Sequence, residues 1–476
     1  MLDGIHSIIV WIVDLIYQPW CVPLLLIAGG LYFTIRMGFM QVRHFGGACK
    51  VIMEKPTQEG GISSFGALMV STASRVGTGN IIGVSTAIIL GGEGAIFWMW
   101  ITAFIGGASA FVESTLAQIY KKKNADGTSY GGPAYYMRDV LNARWLGVIF
   151  SILVIFTYAV GYNMLAAYNL QSTFKVFSFY GSSTSAVIGI ILTVLFGIII
   201  FGGAKKIVKV TGVMVPIMGL LYVVVALVVL GLNAGNIPTM FGRIFNSAFD
   251  FQAIFGGFTG SCIMWGLKRG LYSNEAGMGS APNAAATADV SHPVKQGLVQ
   301  MLSVFIDTLL ICTATAFMCL STNVIPASFK AADGSAMAAE YVQTSLGETL
   351  GSFGPIFIAT AMSLFAFTTL IGNYSYCEGC LKFILKREVG KVGITIFRAC
   401  ATLLIFVGAV ASAGLVWDTA DMAQGLMVLC NVPTILIIGG VAFKALKDYE
   451  KQNKAGKNPE FKAKDIGITK ELDFWK

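Results

Sequence analysis

Residues 62–90 form an apolar run long enough to cross a bilayer. Its middle reads Ser71-Thr72-Ala73-Ser74-Arg75-Val76-Gly77-Thr78-Gly79-Asn80-Ile81-Ile82-Gly83. A guanidinium, an amide, four hydroxyls and three glycines thus lie at the depth where a membrane helix tolerates them least. Gly77 and Gly79 each weaken a helix by roughly 1 kcal/mol relative to Ala and open backbone angles closed to other residues. Loosened backbone at that depth persists only where it is buried in protein or lines a cavity. A helix broken there offers amide donors from one half and carbonyls from the other, a donor set suited to a carboxylate and a small cation. A glycine-rich packing face between helices is the competing reading. Arg75 and Asn80, lying beside the glycines, weigh against it.

The chain of 476 residues is 55% hydrophobic and 12% charged, about half the charge of an ordinary soluble protein. Its apolar runs continue for about 20 residues without alternating, which excludes a β-barrel. The expected class is an all-α polytopic membrane protein. A net charge of +8 could suggest nucleic acid, but the basic residues sit in loops between spans, so no nucleic-acid partner is expected. The Cys377-Cys380 pair lacks the context of a redox or zinc motif, and no cleavable signal is evident in residues 1–19. With three His, no Walker A sequence and no HExxH, no catalytic residue, cofactor or enzyme activity is expected.

In chain order, residues 5–17 suit an interfacial helix. Apolar spans follow near 20–38, 62–90, 94–120, 144–173, 186–203, 207–232, 253–282, 295–322, 351–383, 393–414 and 423–446, about eleven transmembrane helices. Loops 36–61, 121–144, 203–209 and 382–398 are rich in Lys and Arg, and the intervening loops are nearly bare. That alternation predicts a multi-pass plasma-membrane protein with the N-terminus outside and the C-terminus cytoplasmic. The polar tail 447–476 reads as a flexible cytoplasmic extension.

Setting aside 1–61 as an N-terminal interfacial segment plus an extra helix leaves ten spans, divisible into repeats at 62–232 and 253–446. The sixth of the ten is again interrupted, at Gly256-Gly257-Phe258-Thr259-Gly260-Ser261, at Lys268-Arg269-Gly270 and at Ser273-Asn274-Glu275-Ala276-Gly277. Broken helices at matching positions of two halves point to an inverted-repeat transporter with its site at the midplane. An odd number of spans per half inserts the second half upside down. The intramembrane ionisable groups are Arg75, Glu113, Lys268, Arg269, Glu275, Asp307 and Glu378. Arg75 needs a partner such as Glu275, as gate or structural ion pair. Glu113 and Asp307 suit structural roles near span ends. Thr368-Thr369 could bond back to their own helix or supply neutral oxygens to Na⁺.

Several long segments resemble the alanine or glycine:cation symporter family: Ala73 to Ile81, Gly94 to Trp100, Phe111 to Gln118, Gly131 to Tyr136, Lys268 to Pro282 and His292 to Gly297. The resemblance covers nearly the whole chain. It implies a leucine-transporter-like five-plus-five inverted repeat with two broken helices, importing a small neutral amino acid with Na⁺, or in some members H⁺. By the same resemblance Gly77, Thr78, Gly79 and Asn80 would hold the substrate. Carbonyls near Ala73 and Val76, with Thr368 and Thr369, would bind Na⁺, the coupling ion and sole metal. Phe258, Ser261 and Trp265 would face the substrate's ammonium and side chain.

Two positions depart from the family pattern. Asn373 stands where a Trp is usual, and Ala166 where a Gln is usual. Both changes bear on the pocket, which admits serine, glutamine or another neutral amino acid as alternatives to alanine. A passive channel would need a continuous polar pore, and an amino-acid sensor a signalling domain; the sequence offers neither. No obligate protein partner is evident beyond the lipid bilayer.

Overall fold

The computed structural model describes residues 2–475 apart from 126, 258–259, 332–335 and 387–389, with the backbone alone for 2, 3, 204, 253 and 255. Its principal helices are α1 (Leu2–Ile16), α2 (Val22–Arg36), α3 (Ser64–Arg75), α4 (Val84–Gly91), α5 (Ala95–Ile119), α6 (Arg144–Ile155), α7 (Tyr162–Thr173), α8 (Thr184–Ile200) and α9 (Gly203–Leu232). The second half holds α10 (Cys262–Asn274), α11 (Pro282–Ala285), α12 (Pro293–Val304), α13 (Thr313–Leu320), α14 (Phe353–Leu385), α15 (Lys391–Val410), α16 (Ala413–Ile438) and α17 (Gly440–Lys454). Three π-helical stretches, Gly79–Gly83, Phe156–Gly161 and Phe305–Cys312, lie within spans, each a local widening of the kind that often marks functional positions.

Among the described residues, seven continuous helices are long and apolar enough to cross a membrane, and α3 with α4 makes an eighth span bent by 51°. The shorter apolar α2 and α8 and the interrupted stretch around α10 leave the eleven expected spans uncontradicted. Apolar side chains point outward on α8, α9 and α15, with Ile190, Val194, Leu220, Leu227, Ile396 and Leu403 all exposed. The buried polar groups converge inside, among them Arg75, Glu113, Glu275, Asp307, Thr368 and Asn373. This is the arrangement a lipid solvent selects.

The span expected at 253–282 is interrupted twice: one helix ends at Gly256 and α10 starts at Cys262, and the chain leaves the helix again at 275–281, where Glu275, Gly277 and Gly279 all have positive φ. Ser261 caps α10, its hydroxyl accepting from the Met264 amide at 3.3 Å. The interruption expected at Lys268-Arg269-Gly270 is absent: α10 runs unbroken through it to Asn274. A capped helix start tolerates the serine. Three left-handed residues in five positions cannot be helical.

The C-terminal tail is also not the flexible extension its composition suggests. After α17, Phe461, Ala463, Ile466, Leu472 and Trp475 are buried. The Phe461 amide donates to the Ser291 carbonyl at 3.0 Å, and Trp475 Nε1 donates to the Gln118 carbonyl at 2.8 Å. The Lys121 ammonium lies 4.6 Å from the Phe474 ring centroid and 5.1 Å from that of Trp475, while Lys122 pairs with Asp473 at 3.2 Å. A few apolar anchors spaced among lysines suffice to strap the segment across the ends of α5 and the α11–α12 connection. Underneath, Ile62, Lys121, Asp289 and Phe474 help line a cavity of about 30 Å³.

Two predictions follow from this end of the molecule. Trp475→Ala should cost about 3 kcal/mol, the usual penalty for emptying a buried aromatic site, read as a lowered thermal midpoint in detergent. His292 caps α12, its Nδ1 accepting from the Val294 amide at 3.2 Å. Burial holds this imidazole down to about 4, against the pull of Asp448. Between the unfolded value of about 6.5 and that lower one, the unfolded chain binds a proton the folded chain refuses. Stability should therefore fall as pH drops through that window, and His292→Gln, followed in the same melt, should flatten the fall.

Candidate substrate and cation site

Helix α3 starts at a serine cap, Ser63 Oγ accepting from the Gly66 amide at 3.1 Å. It ends after Arg75 because Val76 leaves the helical region, at φ −75° and ψ 88°. The chain resumes through the π turn at Gly79–Gly83. Asn80 folds back on the break: its Oδ1 accepts from the Gly77 amide at 2.7 Å, and its Nδ2 donates to Asp307 Oδ1 at 2.7 Å. The Gly77 amide, expected to meet a substrate carboxylate, is thus capped from within, a short side chain replacing the lost helical bond. Thr78 Oγ1 sits 3.1 Å from the Tyr272 hydroxyl and accepts from Asn169 Nδ2 at 3.2 Å.

The two breaks face each other. A Cβ added at Gly79 would lie 2.8 Å from Tyr272 Cε1 and 3.6 Å from Ser273 Cα, and one at Gly77 would fall on Thr369 Oγ1. Each glycine lets a neighbouring helix approach the opened backbone, so the packing reading and the site reading are both realised at these positions. Gly372 packs likewise against the Ala73–Ser74 backbone, bringing α14 alongside the last turn of α3. The two threonines differ. Thr368 Oγ1 is satisfied by the Leu364 and Phe365 carbonyls at 3.0 and 3.1 Å. Thr369 Oγ1 is buried with no partner, beside the loosened backbone of Gly77.

Asn373 bridges three elements: its Oδ1 lies 2.7 Å from Ser74 Oγ and its Nδ2 donates to Asn163 Oδ1 at 3.0 Å. Ala166, on the same helix as Asn163, is fully buried. Asn163 Nδ2 and Asn169 Oδ1 lack partners among the described residues, so α7 presents an unspent amide donor and acceptor in this region. A buried polar atom without a partner calls for water or ligand. Neither asparagine is singled out by sequence, because an isolated amide in an apolar span carries no periodic signal.

Charge is distributed around the breaks. Arg75 Nε lies 4.0 Å from Glu275 Oε2, the pair expected. Ser74 Oγ lies 2.7 Å from both Glu275 Oε1 and Asn373 Oδ1, which share its one proton, and Ser280 Oγ donates to Glu275 Oε2 at 2.8 Å. Asp307 is not near a span end: it lies in the π stretch Phe305–Cys312, where Asn80, Ser273 at 2.8 Å and Thr308 at 2.8 Å all donate to it. Arg269 pairs with Asp421 at 2.6 Å, its guanidinium 4.3 Å from the Trp417 ring centroid, and Lys268 reaches the same carboxylate at 3.8 Å. Glu378 pairs with Arg398 at 2.7 Å.

Of the residues expected to face the substrate, Phe258 lies outside the described residues. Ser261 lies at the first of the two interruptions, as the cap of α10, and Trp265 is not brought to the second. Trp265 packs against Gly91, at the far end of α4, and stands about 10 Å along α10 from Tyr272, at 1.5 Å per residue. Tyr272 and Ser273 are the residues of α10 that lie against Gly79.

These two facing breaks, in a bundle of about eleven helices, define a leucine-transporter-like membrane transporter. A crystal structure of MhsT in complex with L-phenylalanine shares the fold, with a TM-score of 0.53, 14% identity, and coverage of 85% of this chain and 91% of that one. The sodium:alanine symporter family profile matches residues 2–463, and the chain belongs to that family. It is 44% identical to the amino-acid carrier protein AlsT of Bacillus subtilis, covering 95% of this chain and 94% of that one. It is also 44% identical to a probable sodium/glutamine symporter, GlnT, of the same organism, with 94% and 91% covered. Identity to the sodium/alanine symporter AgcS of Methanococcus maripaludis is 37%, with 92% and 96% covered.

Gly77→Ala drives a methyl into the Thr369 hydroxyl and should destabilise the fold by about 1–3 kcal/mol, as overpacking does. Combining it with Thr369→Ala should restore the thermal midpoint without restoring stabilisation by Na⁺. A full return of the Na⁺ shift in the double variant would contradict the placement of Thr369 at the ion site.

Proposed function

We propose that the chain imports a small neutral amino acid together with Na⁺ by alternating access, both binding at the midplane between the two interrupted helices. The observation that carries this reading is the buried, unpartnered Thr369 hydroxyl beside the opened Gly77 backbone. It is a neutral oxygen with no partner, where carbonyls from Ala73 and Val76 also lie within the interrupted turn. Na⁺ takes such a set of hard oxygen donors. Thr368, already bonded to its own helix, serves this site as packing rather than as first ligand.

The substrate's carboxylate is assigned to the Thr78–Gly79 segment and the Asn169 amide, with Tyr272 and Ser273 of the second break opposite and Asn163 toward the side chain. Asn373 shapes the pocket by tying Ser74 to Asn163. Binding that displaced Asn80 from the Gly77 amide would free that donor as well. Alanine is the first substrate to test, with serine and glutamine next; the glutamine named for one relative makes the larger side chain a specific second candidate.

The loop-charge pattern supports an N-terminus outside and a tail inside. In that orientation Arg269, Asp421 and Trp417 lie on the outer side of the site, and Arg75 with the C-terminal strap on the inner side. Inward movement of one Na⁺ gains about 2.3 kcal/mol per 100 mV, enough to concentrate a zwitterion.

The test is uptake of labelled alanine into proteoliposomes with and without an inward Na⁺ gradient, competed by other neutral amino acids. Accumulation should require the gradient. Thr369→Ala should raise the Na⁺ concentration for half-maximal uptake by on the order of tenfold, the equivalent of about 1.4 kcal/mol. Asn80→Ala should abolish accumulation. Gradient-independent uptake, or normal uptake by both variants, would refute the assignment.

A further inference from the structure

The first half of the broken span is a rigid arm with a joint at one end. Helix α3 runs twelve residues from Ser64 to Arg75, about 18 Å at 1.5 Å per residue, and its hydrogen-bond ladder stops at Val76, where the backbone turns. What holds the opposite end therefore decides whether the arm moves. There Thr57 Oγ1 and the Gln58 amide both donate to the Asp289 carboxylate, and the Asp289 amide donates to the Ile62 carbonyl at 2.9 Å. The fit is close: a Cβ added at Gly61 would lie 2.7 Å from Asp289 Oδ2. Hydrogen bonds accepted by a carboxylate are the stronger kind. Along the arm itself the ties to α12 are single neutral ones, Ser64 with Gln296 at 3.0 Å and Thr72 with Ser303 at 3.1 Å.

The loop that clasps the arm is in turn held from the C-terminal strap. Gln118 Nε2 and Lys121 Nζ both donate to the Ala288 carbonyl at 2.9 Å, one residue before Asp289. Lys121 is 2% exposed, its ammonium covered by the Phe474 and Trp475 rings, and Trp475 bonds the Gln118 main chain. Phe474 also shares the wall of the cavity of about 30 Å³ with Gln58, Gly61, Ile62 and Asp289. The tip of the strap thus lies over the joint between 57–62 and 287–289. The strap is fastened by discrete anchors: beyond α17 its one regular element among the described residues is the 3₁₀ turn Ala463–Ile466. It lifts without unravelling a helix or a sheet, as segments that open at low cost do.

We propose that the C-terminal strap is a latch on the first half of the broken helix. With Phe474 and Trp475 seated, Lys121 and Gln118 fix the 285–289 loop, Asp289 keeps hold of 57–62, and α3 stays aligned. When the strap lifts, Lys121 loses its aromatic cover and regains water. The loop and residues 57–62 are then free to part, and α3 pivots at Val76. That movement opens the strap's end of the bundle beneath the two breaks, so the residues around Phe474 control release of what the breaks hold. Only this last link to transport rests on the symporter reading; the latch itself does not.

Two opposite perturbations test it on the full chain in lipid, with the exposed Cys49 and Cys400 replaced by Ser. The first loosens the latch. Nitroxides on Glu59→Cys and Lys447→Cys, both exposed positions, report the distance between the foot of α3 and α17 by pulsed electron paramagnetic resonance. Adding Phe474→Ala should populate a second, displaced distance. Should that variant fail to fold, Lys121→Met, which removes the ammonium the rings cover, should populate the same one. The second perturbation holds the latch shut. Lys123→Cys and Asp473→Cys, at positions where the Lys123 amide donates to Asp473 at 3.1 Å, are bridged by a short bis-thiosulfonate that a reductant cleaves. The bridged chain should bind labelled alanine yet cease Na⁺-driven uptake, and reduction should restore it. An unchanged distance in the loosened chain would overturn the latch. Wild-type uptake by the fully bridged chain, or loss of alanine binding on bridging, would overturn its control of transport. Wild type without Na⁺-dependent uptake, with the displaced distance present, would count against the symporter reading alone.

Discussion

Everything in this molecule follows from the need to satisfy loosened backbone in a solvent that offers no hydrogen bonds. Helix α3 stops at Val76 and α10 stops at Asn274, and each break exposes main-chain groups at membrane depth. They are satisfied by facing each other and by side chains that fold inward. Asn80 caps Gly77, the Asn274 side chain caps the Ala276 amide at 3.0 Å, and Glu275 holds Ser74. An unpaired group in hydrocarbon costs several kcal/mol, so the two interrupted helices are compelled to lie side by side, with α14 and α7 packed over them.

That same arrangement creates the polar atoms left over for a ligand. Gly77 lets α14 approach so closely that the Thr369 hydroxyl lies directly against the opened turn. One residue earlier, Thr368 turns back on its own helix. The difference between adjacent, chemically identical side chains is one of direction alone: successive positions on a helix are turned by about 100°. Asp307 is held in a similar way by π geometry, which turns it toward Asn80 and Ser273 rather than toward α9 or lipid.

Charge follows the breaks as well. Arg75 and Glu275 each come from the end of a helix that stops in mid-membrane, so their pairing joins the two halves of the bundle. Arg269 and Asp421 do the same nearer α4's far end. Removing one partner of such a buried pair leaves an uncompensated charge and is far more damaging than replacing both.

The apolar runs, the basic-loop alternation and the polar interruption at 71–83 are properties of composition along the chain. A bilayer reads them directly, so the sequence by itself determined the membrane class, the first broken helix and the family. It also determined Arg75 with Glu275 and Thr369 as candidates, since charge and hydroxyls within apolar runs are visible one residue at a time. Only the tertiary structure decided that α10 runs unbroken through Lys268-Arg269-Gly270 while the chain leaves the helix at 275–281, because both stretches look equally breakable in one dimension. It alone decided that Thr369 rather than Thr368 is unspent, that Asn373 is tied to Ser74 and Asn163, and that the polar tail is strapped down by Phe461 and Trp475. Each of these depends on which neighbour a side chain meets, and that is set by packing between segments hundreds of residues apart rather than by local pattern.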